Sequence, residues 1–412
     1  MKIVILYQFF QSELEPGHSL TLALARYLRA CGDDVSVVSS EYGYMDPKPS
    51  RAPFGRLMRQ EEIDGILVIR AFSSRYGHSG LVRRFFSIAS FSMSCLFALL
   101  RGPRPDIIYA SSPPLLPMFS AWLASRLRGA SLVLEVRDLW PESLTELASP
   151  SGGALVGLMK RLEPFIYNRS TMIVTLTDGI RQNIVDRGWP ASKVHTIRYG
   201  VSPTRFFPDK NAARRIRAAE GWENLTIVLY LGAHGLANDL DVILRAAGRL
   251  RARRDVRFVL IGNGIEKERL ISAAKNRGLD NVVFHAPVPA CSAADYINAA
   301  DVCLATLRDA RLFRSAIPSK LVEYMACAKA VVVGIRGEAE AIVEQAGAGL
   351  VFGPGDDSGL AACIEALADA PEKRAQMGEN GRCAAVEHFS LERSQAELRS
   401  LLEEVVAGRS PH

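Results

Sequence analysis

Short apolar, β-branched runs alternate with helical segments along the whole chain, and the alternation is played through twice. Strands separated by helices pair in parallel, with the helices covering both faces of the sheet, so this rhythm predicts an α/β fold. In the first half strands are expected at 2–7, 35–39, 65–71, 106–110, 131–136, 172–175 and 194–197. A helix is expected over 18–29, where Leu20, Leu24 and Leu28 form one apolar stripe, and a longer apolar helix over 81–100. In the second half strands are expected at 226–231, 256–261, 281–284, 301–305, 330–333 and 349–352, with a final helix over 389–407.

A chain of 412 residues exceeds one ordinary core, which predicts two domains of roughly 200 residues each. The segment 199–209, rich in Pro, Gly and aromatic residues, is the best linker. The expected division is one α/β domain over 1–200, a second over 201–388, and a terminal helix in 389–412 that the pattern permits to cross back. Two such domains are expected to face each other across a cleft at the carboxyl ends of their strands, where α/β folds bind ligands.

Hydrophobic residues make up 48% of the chain and charged residues 23%, which places it among folded globular proteins. The net charge of +6 lies entirely in residues 1–200, the remainder being balanced. That bias predicts an anionic partner for the first domain, a membrane surface or phospholipid, although a merely soluble surface accounts for it too. No nucleic-acid motif accompanies the charge, so nucleic acid is not expected. Seven scattered cysteines, odd in number and without C-x-x-C spacing, read as free thiols in a reducing cytosol. No transmembrane helix or signal peptide is expected.

The run Ile317-Pro318-Ser319-Lys320-Leu321-Val322-Glu323-Tyr324-Met325-Ala326 carries the most chemistry. A helix starting at its proline places Ser319, Lys320 and Glu323 on nearby faces. The unpaired N–H groups of the first turn hold an anion, Lys320 adds positive charge, and Glu323 one turn on accepts hydrogen bonds from a diol. Phosphate and diol together describe a nucleotide. Gly232, Ala233 and His234 close one strand, and Gly262, Asn263 and Gly264 close the next; both read as close-approach turns or simply as turns. Gly337 follows the strand after the helix, where its surrounding amides and the start of the next helix are expected to meet a phosphate or sugar hydroxyls, with Glu340 on the helix face. Solvent-facing helix surface is the plain alternative for Glu323 and Glu340.

In the first half, Glu135-Val136-Arg137-Asp138-Leu139-Trp140-Pro141-Glu142-Ser143 sets charges at the end of an apolar strand, which suits a cleft. Arg137 can stabilise phosphoryl charge and Asp138 can orient a hydroxyl; an internal network of Arg137 with Glu135 or Asp138 is the structural alternative. Gly17 lets backbone approach a ligand, and His18 beside it is a lone histidine. Arg83 and Arg84 open the apolar stretch that ends at Arg101 and Arg104, which reads either as an interfacial helix or as a buried one.

These islands, with the GNG turn at 262–264, resemble the retaining glycosyltransferases of family 4, of GT-B architecture. The likeness is strongest to a bacterial surface-polysaccharide branch that transfers N-acetylated aminosugars or L-fucosamine. The resemblance implies a UDP-sugar donor bound by the second domain and a polyprenyl-diphosphate-linked acceptor. It also implies no required cofactor and no divalent metal. Glu323 matches the second glutamate of the family's E-x7-E motif, while the first falls at Ser315, so the motif is incomplete. Arg137 stands where many relatives have histidine. The implied catalytic groups are Arg137, Asp138 and Lys320, and the implied location is cytoplasmic, peripheral on the anionic inner-membrane surface. A UDP-sugar epimerase of the same architecture and a noncatalytic sugar-nucleotide sensor are the competing readings; the oligomeric state is left open.

Overall fold

The computed structural model describes residues 1–17, 20–42, 57–74, 81–140 and 153–408. It divides into two compact units, one formed by Met1–Arg198 with Arg393–His412 and the other by Tyr199–Glu392. Each is a Rossmann-like α/β unit, the pairing that defines GT-B architecture.

Unit 1 carries β1 (Lys2–Leu6), β2 (Asp34–Ser40), β3 (Met58–Ile63), β4 (Ile66–Ala71), β5 (Ile107–Ser112), β6 (Ser131–Val136), β7 (Met172–Thr175) and β8 (Val194–Thr196). Their order across the sheet is β3-β4-β2-β1-β5-β6-β7-β8. Every pairing is parallel except the hairpin β3–β4. Among the described residues, that hairpin contains the one strand the sequence pattern did not predict. MRQEEI is an edge strand with one mostly solvent-facing row, so it lacks the apolar run that marks buried parallel strands. Its turn is Asp64-Gly65, both with positive φ, as a two-residue hairpin loop requires.

Ile3, Ile5, Val35, Val37, Ile107, Tyr109 and Val133 fill one side of this sheet together with Leu398, Leu402 and Val405. Those last three repeat along the helix Leu391–Ala407 at the spacing of one helical face, so the final helix completes the core of unit 1. Arg399 Nε donates to the buried Asp33 carboxylate at 2.9 Å and fixes that helix. The helix Leu81–Arg101 buries Phe91, Cys95, Ala98 and Leu99, whereas Phe86, Met93 and Phe97 stay exposed on another face. It is therefore half core and half surface. The side chains of Arg83 and Arg84 lie outside the described residues. No described helix is long and apolar enough to cross a membrane.

Unit 2 carries β9 (Thr226–Leu231), β10 (Val256–Ile261), β11 (Val282–His285), β12 (Val302–Thr306), β13 (Ala330–Gly334) and β14 (Gly349–Val351). All pairings are parallel, in the order β11-β10-β9-β12-β13-β14. The order reverses direction between β9 and β12, and that crevice is where open α/β sheets take ligands. The entry and exit of the unit are tied together. Val201 bridges Ser390, and the Val201 amide donates to the Phe389 carbonyl at 2.8 Å.

Candidate active site

The helix Ser319–Ala326 begins just after Pro318, whose extended backbone turns the chain into it from the 3-10 turn Arg311–Ser315. Leu321, Val322, Tyr324, Met325 and Ala326 are buried and anchor it under β12 and β13. Its remaining face carries Ser319, Lys320 and Glu323 at the carboxyl side of the sheet.

Lys320 Nζ donates to the Tyr230 hydroxyl at 2.8 Å and lies 4.0 Å from the centre of that ring. Tyr230, fully buried near the end of β9, passes the hydrogen bond on to the Ala233 carbonyl at 2.8 Å. Gly232 has φ of 154°, and a Cβ on it would stand 2.6 Å from Lys320 Nζ. The ammonium thus occupies the space a side chain would fill, which is a direct requirement for glycine there. Tyr324 locks the same helix to the strand: its hydroxyl accepts the Leu231 amide at 3.0 Å and donates to the Leu231 carbonyl at 3.3 Å. Neither tyrosine was singled out from the sequence. The available signal was a phenol in an otherwise aliphatic buried run, since buried tyrosine hydroxyls demand partners.

Burial pushes the Lys320 ammonium down to about 7, against the opposing pull of Glu323. Burial likewise pushes the Glu323 carboxyl up to about 7, against Arg205 and Lys320. Arg205 is held from the other side by donating to the Ala290 carbonyl at 2.6 Å. Two groups with opposite charge, both displaced toward neutrality on one helix, are characteristic of sites built for a ligand.

The second glycine turn packs on the first. A Cβ on Gly262 would overlap the Gly232 carbonyl, and one on Gly264 would overlap the His234 backbone. The His234 amide donates to the Asn263 carbonyl at 2.9 Å, and Asn263 Oδ1 accepts its neighbour's amide at Gly264, also at 2.9 Å. Gly262, Asn263 and Gly264 therefore join the two turns backbone to backbone. His234 is wholly buried between Tyr230 and Phe284, with neither ring nitrogen hydrogen-bonded. Burial, with the charges of Lys267 and Lys320, lowers its imidazole to about 3, so it is neutral. Leu240 precedes the helix Asp241–Arg249 without a side-chain cap.

Ser315 donates to the Leu312 carbonyl at 3.1 Å within its own turn. Gly337, with φ of 94°, lies against the Arg314 carbonyl of that turn and starts the helix Glu338–Ala346. Glu340 accepts the Gly337 amide at 3.1 Å and pairs with Arg336. Its carboxylate caps the helix, which corrects the expectation of a helix-face residue and engages the Gly337 amide internally.

Unit 1 holds the other expected residues. Arg137 Nε pairs with Glu135 at 2.7 Å, Nη2 donates to Thr21 Oγ1 at 3.0 Å, and the guanidinium lies over the Tyr7 ring. Burial opposes ionisation of Glu135, but Arg137 and hydrogen bonds from Ser111 and Tyr109 outweigh it and hold the carboxyl below its ordinary range. The internal Arg137–Glu135 network is thus realised, with Asp138 half-buried beside it. Gly17 has φ of 134°, and the Gln11 amide fills the space beside it. His18, Pro141, Glu142 and Ser143 lie outside the described residues. Among the described residues no cluster of three His, Cys, Asp or Glu could hold a metal ion.

Two family models match the chain: "Glycosyl transferase 4-like domain" over residues 18–200 and "Glycosyl transferases group 1" over residues 212–383. The protein is a glycosyltransferase of GT-B fold. It is similar to the "Putative colanic acid biosynthesis glycosyl transferase WcaI" of Escherichia coli (strain K12). The identity is 24% over 372 residues, covering 89% of this chain and 88% of that one. In fold it is similar to sucrose-phosphate synthase from Thermosynechococcus elongatus, with TM-score 0.79 and 17% identity over 99% of this chain and 100% of that one. It is also similar to Anabaena Alr3699/HepE in complex with UDP and glucose, with TM-score 0.72 and 19% identity over 98% of this chain and 99% of that one.

Proposed function

We propose that this enzyme transfers a sugar, an N-acetylated aminosugar, from a UDP-sugar to a lipid-linked saccharide with retention at the anomeric carbon, in surface-polysaccharide assembly. The observation that carries the reading is the Lys320 ammonium, partly buried at a helix N-terminus in the topological crevice of unit 2. Lys320 and the first-turn amides meet the diphosphate and stabilise its charge as the glycosidic C–O bond breaks. Glu323 receives the ribose hydroxyls, and Ser315 stands where the sugar-side glutamate of related enzymes would be. The acceptor oxygen bonds the anomeric carbon on the face the diphosphate leaves, and its proton passes to a leaving phosphate oxygen. Arg137 and Asp138 serve the acceptor side. Lys320 and the amides supply the electrostatics a divalent ion would otherwise give, so activity is expected to survive EDTA.

UDP is favoured by the likeness to Alr3699/HepE, whose structures hold UDP and UDP-glucose. Polysaccharide synthesis is favoured by the description of WcaI. The test is incubation of the purified protein with a panel of UDP-sugars and polyprenyl-diphosphate-linked acceptors. A glycosylated lipid is expected; binding without turnover favours a sensor, and an epimerised donor without acceptor favours an epimerase. A peripheral position on the cytosolic face of the inner membrane is supported by Phe86, Met93 and Phe97, which are 61%, 69% and 44% exposed on the helix Leu81–Arg101. Flotation with anionic vesicles is expected, and a protein that never floats overturns that placement.

A further inference from the structure

Lys320 has three ammonium hydrogens and a long flexible stem, and it donates to the Tyr230 hydroxyl alone among the described residues. Two donors are left over on a cation that burial disfavours. Such a group is costly unless a ligand completes its shell. What fixes its direction is the phenol. The Tyr230 ring is fully buried, its hydroxyl is committed to the Ala233 carbonyl, and the ring lies beneath the ammonium. Gly232 leaves room for the ammonium and no side chain. The lysine head is thereby referenced to the turn that closes β9, while its Cα is referenced to the same strand through Tyr324 and Leu231.

Resting on the UDP-sugar reading above, we propose that Tyr230 is a positioning residue for donor binding: its hydroxyl aims Lys320 at the diphosphate from beneath. It touches no substrate itself. It acts by holding the ammonium in one place before the ligand arrives, which reduces the ordering cost of binding. Because the diphosphate is bound in both ground and transition states, the loss of this aim falls chiefly on donor affinity and less on turnover.

The test is a double-mutant cycle read by UDP titration and by donor kinetics. Tyr230→Phe keeps the ring and removes only the hydroxyl. It is expected to weaken UDP binding and raise donor KM roughly tenfold, the scale of one charge-assisted hydrogen bond, with kcat changed far less. In a Lys320→Met background the same substitution is expected to have no further effect on UDP binding. A Tyr230→Phe protein that binds UDP like wild type overturns the inference. So does an equal loss in the Lys320→Met background, which would mark a purely structural role. Wild-type protein that binds no UDP overturns the nucleotide reading and this inference together. Should Tyr230→Phe fail to fold, 15N-lysine NMR of the wild type replaces it. A slowly exchanging Lys320 ammonium signal, absent from Lys320→Met, is expected, and its absence from wild type overturns the inference.

Discussion

Lys320 and Glu323 share a helix and are displaced from opposite sides toward the same value of about 7. The sign of each displacement sets a pH window. Lys320 falls from its ordinary 10.5, so between about 7 and 10.5 the unfolded chain holds more protons and stability rises with pH. Glu323 rises from 4.5, so between 4.5 and about 7 the folded protein holds more protons and stability falls with pH. Together they weaken the unliganded fold most near neutrality. Lys320→Met is therefore expected to raise the melting temperature at pH 7 and below, with the gain fading toward pH 10.5. The same variant should lose donor use, a trade of function for stability. Thermal melts across pH alongside donor kinetics check both halves. Above pH 7 the diphosphate must recharge Lys320, so UDP binding is expected to take up a proton. Calorimetry in buffers of different ionisation heat should detect that uptake in wild type and not in Lys320→Met.

The paired glycine turns make the analogous demand on backbone. Gly262→Ala would place a methyl group against the Gly232 carbonyl at a φ of 147°, and the strain is expected to cost about 1–3 kcal/mol. Urea unfolding of that variant measures the loss, and UDP titration should show weaker binding because Gly232 borders Lys320. Most elements of this kind were legible in the sequence, because strands buried on both faces read as uninterrupted aliphatic runs. Thus TIVLYL and VRFVLI mark β9 and β10 at their observed ends. MRQEEI escaped because an edge strand tolerates charge on its open face, although Asp64-Gly65 had announced the hairpin. The helix start that sets Ser319, Lys320 and Glu323 on nearby faces was legible from local spacing alone. Its engagement with Tyr230, ninety positions earlier, was not, because chain order carries no record of which strand lies beneath which helix. Glu340 escaped for a related reason: a carboxylate three residues into a helix either faces solvent or folds back on the cap, and only coordinates separate the two.

At the scale of the whole chain, the two-domain α/β architecture followed from the repeated strand–helix rhythm, whereas the ownership of the last helix required the packing of particular residues. Leu402 is fully buried in the core of unit 1, so Leu402→Ala is expected to destabilise that unit by about 2–5 kcal/mol. Hydrogen exchange should localise the loss to Met1–Arg198 and the final helix, leaving Tyr199–Glu392 protected. The tied ends of unit 2, through Val201 and Ser390, bear on the order of events during synthesis. Unit 1 is begun first, yet Leu398, Leu402 and Val405 leave the ribosome only after Tyr199–Glu392. Unit 2 has all its strands and both ends of its bridge before then. The nascent chain therefore finishes its second unit before its first, and until the final helix arrives the first half carries an uncovered apolar seam for chaperones to shield.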